Sequence, residues 1–264
     1  MHKNTYDLRN KIIQLEDIPE RLLHLKDAYK GETCYIVSAG PSLKNYTDDE
    51  LQTALKDELV ISVKQSFNRI PNIADFHVLN FTNFQPYSYP YKNNIVVWEV
   101  FEQFHPQMIL QNKLKCELML PVTGNHNPDI VSRINESQAG KLSFDEFSLD
   151  KTINRMYGPG IMYETVIHLA VYLGVSKIVT LGWDIGDVNK FKGDDLYEDV
   201  WQDHSYDDTS EKMAYAPTPM NFHEVNTVVN STEYLNTWLQ SKDIELNIIS
   251  DTNPAHESIK RITL

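Results

Sequence analysis

Thr33-Cys34-Tyr35-Ile36-Val37-Ser38-Ala39-Gly40-Pro41-Ser42-Leu43 opens with five strand-favouring residues and is halted by Gly40-Pro41. A short apolar run stopped by a turn pair predicts a buried strand with a sharp bend at its end. Gly40 has no Cβ, so the backbone can turn tightly and a ligand can come close. Pro41 fixes φ, and Ser42 offers a hydroxyl beside the amides that follow. Together they can cradle a small anion. Only one of the three glycines of the dinucleotide fingerprint is present, and no Gly-Lys-Ser follows as in a Walker loop. Taken alone, the segment suits a plain strand-to-helix turn as well as a phosphate site.

Working outward, apolar residues recur at helical spacing over residues 6–30, interrupted at Pro19, which predicts one or two helices ahead of the sheet. Residues 48–59 suit a helix, with Thr47 as N-cap and Glu50 completing a capping box. Strands are expected at 59–63, 75–80, 94–100 and 117–122, all rich in Val, Ile, Leu and aromatics. Later, residues 160–173 carry a helical apolar pattern that Gly174 can stop, and 177–182 follow as a strand. A last helix at 225–240 and a last strand at 244–249 repeat the unit. This alternation predicts an α/β fold of Rossmann-like type, a mainly parallel sheet with helices on both faces. The organisation expected is an N-terminal helical segment, 1–30, and one nucleotide-binding domain, 31–264, with an insertion at 185–222.

That insertion is acidic. From Asp184 to Glu211 there are ten Asp and Glu residues against Lys190 and Lys192. Coming just after a strand, it belongs at the carboxyl edge of the sheet, where ligands of open α/β folds bind; it suits either a lid or a plain surface loop.

Composition limits the function. The 264 residues are 41% hydrophobic and 23% charged, near the globular norm, so the chain is neither disordered nor fibrous. A formal charge of −13 with no cationic run repels phosphodiester backbones, so no nucleic-acid partner is expected. A small anionic ligand stays possible, because amides at a helix start bind phosphate without cationic side chains. Cys34 and Cys116 are the only cysteines, too few for a disulfide framework and without zinc spacing, and both are expected as buried free thiols. The start of the chain has no apolar leader, and no run of about 18 apolar residues occurs, so a cytoplasmic protein without a transmembrane segment is expected.

Other residues suit a site at the strand tips. Gly158-Pro159-Gly160 opens the late helix and can present amides to a phosphate, or can be a flexible connection. Asp184 ends the strand 177–182 and can accept from sugar hydroxyls, help hold magnesium, or serve as a cap or surface acid. Asn80 closes the strand 75–80 at the same kind of edge and can read a base or ribose. Of the nine histidines, His168 sits in the apolar helical pattern and suits a packed core. His126, His204 and His256 lie in polar stretches without metal-ligand spacing. His223, after the acidic insertion and just before the last helix, is the best general-base candidate by position, against an ordinary helix-start histidine. No Gly-x-Ser-x-Gly elbow supports a serine nucleophile.

Ile36-Val37-Ser38-Ala39-Gly40-Pro41-Ser42-Leu43 resembles the Gly-x-Gly-Pro-Ser-Leu turn of the short bacterial sialyltransferases, glycosyltransferase family 42. Gly160-Ile161-Met162-Tyr163, the stretch to Leu173-Gly174, and Lys177-Ile178-Val179-Thr180-Leu181-Gly182-Trp183-Asp184 are similar to that family's later helix, strand and strand-ending Asp. The likeness in order and spacing covers about two-thirds of the chain. The motility accessory factors and archaeal pterin pyrophosphokinases share the Gly-Pro-Ser-Leu start and the strand-ending Asp. The resemblance implies that Ser38, Gly40 and Ser42 line a nucleotide site with Asn80 and Asp184, that Gly158, Pro159 and Gly160 meet the phosphate, and that His223 takes the acceptor's proton. It departs at Ala39, at Lys64-Gln65 and at Ile185-Gly186, where the family has Asn, Asn-Gln and Phe-Tyr; Tyr197 or Tyr206 would stand in for that tyrosine.

What the resemblance implies is a glycosyltransferase-like enzyme of polysaccharide synthesis. Its partners would be a nucleotide-sugar donor, of CMP-sugar type, and a glycan hydroxyl acceptor. No cofactor or metal is required for that chemistry. Two alternatives stay open: a magnesium-dependent pyrophosphokinase of the pterin type, and a non-catalytic nucleotide-sugar binding protein. A homo-oligomer is also left open.

Overall fold

The computed structural model describes residues 2–80, 94–101, 116–123, 144–151, 155–156, 161–184, 222–250 and 253–264. Among these residues nine parallel strands form one sheet: β1 (Thr33–Val37), β2 (Leu59–Val63), β3 (Phe76–Asn80), β4 (Ile95–Phe101), β5 (Leu118–Thr123), β6 (Arg155–Met156), β7 (Lys177–Leu181), β8 (Glu245–Ile249) and β9 (Lys260–Ile262). The order across the sheet is β6-β5-β4-β3-β2-β1-β7-β8-β9. The chain therefore lays strands outward from β1 in one direction, then returns to the other side of β1 with β7. The point of reversal lies between β1 and β7, paired from Thr33 with Lys177 to Val37 with Leu181.

Parallel sheets are covered on both faces, which is why the strands read as unbroken apolar runs. All five residues of β2 are buried. On one face Cys34, Ile36, Ile61, Val78, Val97 and Leu120 join one apolar cluster. It is covered by a π-helical turn (Met162–Val166) that runs into α4 (Ile167–Tyr172), and by α5 (Phe222–Gln240). On the other face Val37, Val60 and Val179 pack with Leu43, Leu51, Leu55 and Phe67, from a 3-10 turn (Pro41–Asn45), α3 (Asp48–Leu55) and a second 3-10 turn (Lys64–Arg69). Fully burying one such Leu or Ile contributes about 1.5–3 kcal/mol.

Local chemistry explains where the elements begin and end. Thr47 and Glu50 form the capping box: Thr47 Oγ1 accepts from the Glu50 amide at 3.2 Å, and Glu50 Oε2 accepts from the Thr47 amide at 2.7 Å. The N-terminal segment forms α1 (Thr5–Ile12) and α2 (Ile18–Leu23), the second opened by Pro19 and capped by Asp17, which accepts from the Glu20 amide at 3.3 Å. Gly174 ends the helix at φ +82°, where an added Cβ would meet Asp27 Oδ1 at 2.7 Å. The carbonyls of Tyr172, Leu173 and Gly174 accept from the amides of Asp27, Tyr29 and Gly31 at 3.0, 2.9 and 2.9 Å, so the segment after α2 satisfies the end of α4.

Residues of α1 and α2 also clamp the amino edge of the sheet. Arg9 Nη2 donates to Glu117 Oε1 at 2.6 Å, and Arg21 Nη1 donates to the Glu117 carbonyl at 2.8 Å. Buried Asp75 accepts from the His2 amide at 2.7 Å, Thr5 Oγ1 at 2.5 Å and the Val60 amide at 2.9 Å. Burial pushes its carboxyl up against the pull of those donors. Ile12, Leu22, Leu25 and Tyr29 belong to the same apolar cluster as the sheet.

Three expectations shift. The sheet has two strands not foreseen, β6 and β9, each three residues or fewer. The late helix begins as a π-helical turn. The last helix begins at Phe222, so His223 is its second residue and does not precede it. The acidic stretch up to residue 221 lies outside the described residues.

Candidate functional site

At the carboxyl edge, the tips of β1 and β7 are locked together. The Ser38 amide donates to the Leu181 carbonyl at 2.8 Å and the Gly40 amide to the Gly182 carbonyl at 2.9 Å. Gly182 has φ +63°, and a Cβ there would meet the Ser38 carbonyl oxygen at 2.3 Å. A Cβ on Gly40 would meet the Gly182 carbonyl oxygen at 2.3 Å and Asp184 Oδ2 at 2.6 Å. The bare α-carbon of Gly40 thus admits the β7 tip, where the sequence suggested room for a ligand.

The same holds for the amide cradle. The Ser42 amide donates to Asp184 Oδ2 at 2.6 Å, so an anion reaches it only by displacing that carboxylate. Burial raises the Asp184 carboxyl above the usual Asp value, while hydrogen bonds from the Ser42 amide and hydroxyl pull it down. The segment after the bend is a five-residue 3-10 turn, and α3 starts with Asp48, Asp49 and Glu50, a first turn already supplied with negative charge. Among the described residues on that side of β1, the amide and the helix start are thus already supplied with negative charge.

The opposite face is different. Ser38 Oγ donates to Met162 Sδ at 3.3 Å, joining the β1 tip to the π-helical turn. Further along the edge, Asn80 is the last residue of β3 and pairs in register with Glu99 of β4. Glu99 is fully buried; its Oε2 accepts a short hydrogen bond from Thr165 Oγ1 of the π-helical turn, and its Oε1 has no partner among the described residues. This pair was missed in the sequence, although one acid inside Ile95-Val96-Val97-Trp98-Glu99-Val100-Phe101 was the signal that could have found it.

Other candidates fall as follows. Gly158, Pro159 and Gly160 lie outside the described residues. His223 lies in the first turn of α5. Because α5 feeds through a short turn into the start of β8, its own start is at the carboxyl edge; at 19 residues it is about 28 Å long against about 17 Å for β8, so it overhangs the rim. His168 is buried beside Phe144 and Trp238, with ring centroids 6.5 and 5.1 Å away, a packed core residue as expected. His77 was not singled out in the sequence. It is stacked on Phe67 at 4.3 Å with Nε2 2.8 Å from the Lys64 carbonyl, and burial pushes it down to about 3.

Both cysteines are free thiols, Cys34 buried and Cys116 partly so. Burial raises both, Cys116 to about 11. Among the described residues, no cluster of three or more His, Cys, Asp or Glu could hold a metal ion, and no helix is long and apolar enough to cross a membrane.

No protein-family model matches the chain. No curated protein matches it either. Among solved structures it is similar to the sialyltransferase CstII from Campylobacter jejuni, determined in complex with the substrate analogue CMP-3FNeuAc, at 15% identity and a TM-score of 0.39, covering 87% of this chain and 85% of that one.

Proposed function

We propose that this chain is a glycosyltransferase-like enzyme that binds a nucleotide-activated sugar along the carboxyl edge of its sheet and transfers the sugar to a glycan hydroxyl. The observation that carries the reading is the reversal of strand order at β1 and β7, with Ser38, Gly40 and Asp184 gathered at its tips. In open α/β sheets the crevice outside such a reversal is where ligands bind. The motif resemblance of the same residues supports it.

In this reading Ser38 and Gly40 line the nucleotide. Asp184, half-buried at the rim, accepts from ribose hydroxyls and at the same time holds Ser42. Gly158, Pro159 and Gly160 meet the phosphate and Asn80 meets the nucleotide. His223 takes the proton of the acceptor hydroxyl while its oxygen attacks the anomeric carbon and the nucleotide phosphate departs. That displacement balances charge without a metal.

A thermal-shift series with CMP, UDP, GDP and ATP, each with and without magnesium, tests the binding. One nucleotide at about 100 times its Kd is expected to add about 2.7 kcal/mol without magnesium, and Asp184→Ala to lose that gain. His223→Ala is expected to keep the binding and lose transfer. If no nucleotide shifts the wild-type melting curve, the reading is wrong.

A further inference from the structure

Glu99 is a carboxylate held on one oxygen only. Thr165 satisfies Oε2, Oε1 is left without a partner among the described residues, and both residues are fully buried. No Lys, Arg or His pairs with Glu99 among the described ion pairs. A buried carboxylate with an unsatisfied oxygen costs stability that a neutral side chain of the same size would not. Such a group persists where something other than packing holds it in place.

Its position says what that is. Glu99 pairs in register with Asn80, the end residue of β3, so it stands at the rim level of the neighbouring strand. Its partner among the described residues, Thr165, belongs to the π-helical turn that also receives Ser38 Oγ through Met162. π-Helical turns are rare and recur at functional sites. From β1 to β4 is three strand spacings, about 14 Å, and one turn touches both ends of that stretch, Ser38 through Met162 and Glu99 through Thr165. That length suits a nucleotide at β1 and its sugar at β4.

We infer that Glu99 Oε1 is the acceptor for a hydroxyl of the sugar carried by the nucleotide, and that it selects an uncharged, hydroxyl-bearing sugar over one bearing a carboxylate. The inference rests on the nucleotide-sugar reading above. A carboxylate can only accept, so its free oxygen rewards a ligand that donates. Placed beside an acidic sugar in a site closed to water, the same oxygen repels it. Glu99 is shut off from solvent, so this reading requires the turn carrying Thr165 to shift when the sugar binds.

Two measurements test this. The first needs no ligand: Glu99→Gln, and the double variant Glu99→Leu with Thr165→Val, are expected to melt about 2–4 °C above wild type, because a site residue kept against stability is relieved. Melting below wild type by both would make Glu99 a structural residue and overturn the inference. The second compares UDP-glucose with UDP-glucuronate, and CMP with CMP-sialate, by titration calorimetry. The uncharged sugar is expected to strengthen binding over its nucleotide and the acidic sugars to weaken it, and Glu99→Gln is expected to cut the uncharged-sugar gain at least tenfold while leaving bare-nucleotide binding unchanged. Bare nucleotide bound by wild type, with acidic sugars preferred or Glu99→Gln without effect, would overturn the sugar assignment alone. No binding of any nucleotide would instead sink the reading it rests on, and the melting result would still decide the role of Glu99.

Discussion

Gly40 shows how one missing Cβ can be needed for a reason other than ligand access. Its neighbours, the Gly182 carbonyl at 2.3 Å and Asp184 Oδ2 at 2.6 Å from an added Cβ, are backbone and a held carboxylate, neither free to move aside. Gly40→Ala is therefore expected to prise the two strand tips apart and cost about 1–3 kcal/mol, read as a lower urea midpoint. His77 carries a pH signature. Its folded value of about 3 lies below the usual 6.5, so the unfolded chain takes up a proton that the folded chain refuses. The stability it contributes is full above about pH 6.5 and falls away as pH drops toward 3. His77→Phe, which keeps the ring against Phe67, is expected to flatten that acid limb in stability measured against pH. An unchanged limb would mean that other groups set it. Asp184 works the other way: its raised value favours the folded state below the usual Asp value and loses that contribution as pH rises through it.

At the scale of elements, helix boundaries were legible because caps are local chemistry. Thr47 with Glu50 marked α3, and Gly174 marked the end of α4, each within a few residues of the chain. The π-helical turn was not legible, since its apolar residues repeat much as an α-helix would and the extra backbone residue leaves no separate mark. β6 and β9, two and three residues long, are too short for an alternation to be counted. Gly174→Ala belongs here. With φ +82° and Asp27 Cα at 3.0 Å from the added Cβ, the substitution strains the turn and pushes away the segment whose amides cap α4. A loss above 1 kcal/mol is expected, with faster hydrogen exchange at the amides of Asp27, Tyr29 and Gly31. Protection unchanged at those three amides would show that the cap does not depend on this glycine.

For the whole molecule, the N-terminal helices serve as a clamp across the amino edge while the candidate site occupies the carboxyl edge. Arg9 is the cation that makes the clamp affordable to bury, since Glu117 is only 5% exposed. Arg9→Met leaves that carboxylate, among the described residues, with the Val96 amide and is expected to cost about 3 kcal/mol, measured by urea unfolding. Under the proposed function, nucleotide-induced stabilisation is expected to survive in the folded fraction, because Arg9 and Glu117 lie at the amino edge and Ser38, Gly40 and Asp184 at the carboxyl edge.

Period, propensity and capping are properties of neighbouring residues, and they were enough to read an α/β chain with strands near 33–37, 59–63, 76–80 and 177–181 and a glycine-proline bend after the first. What Gly40, Ser42 and Asp184 do for one another depended on folding. The Ser42 amide meets a carboxylate 142 residues away, and Thr165 meets Glu99 across 66. Contacts at such separations follow from strand order, which no local pattern encodes. Hence the amide that looked open in the chain is taken in the fold, and an acid placed inside an apolar strand has one oxygen unpaired among the described residues.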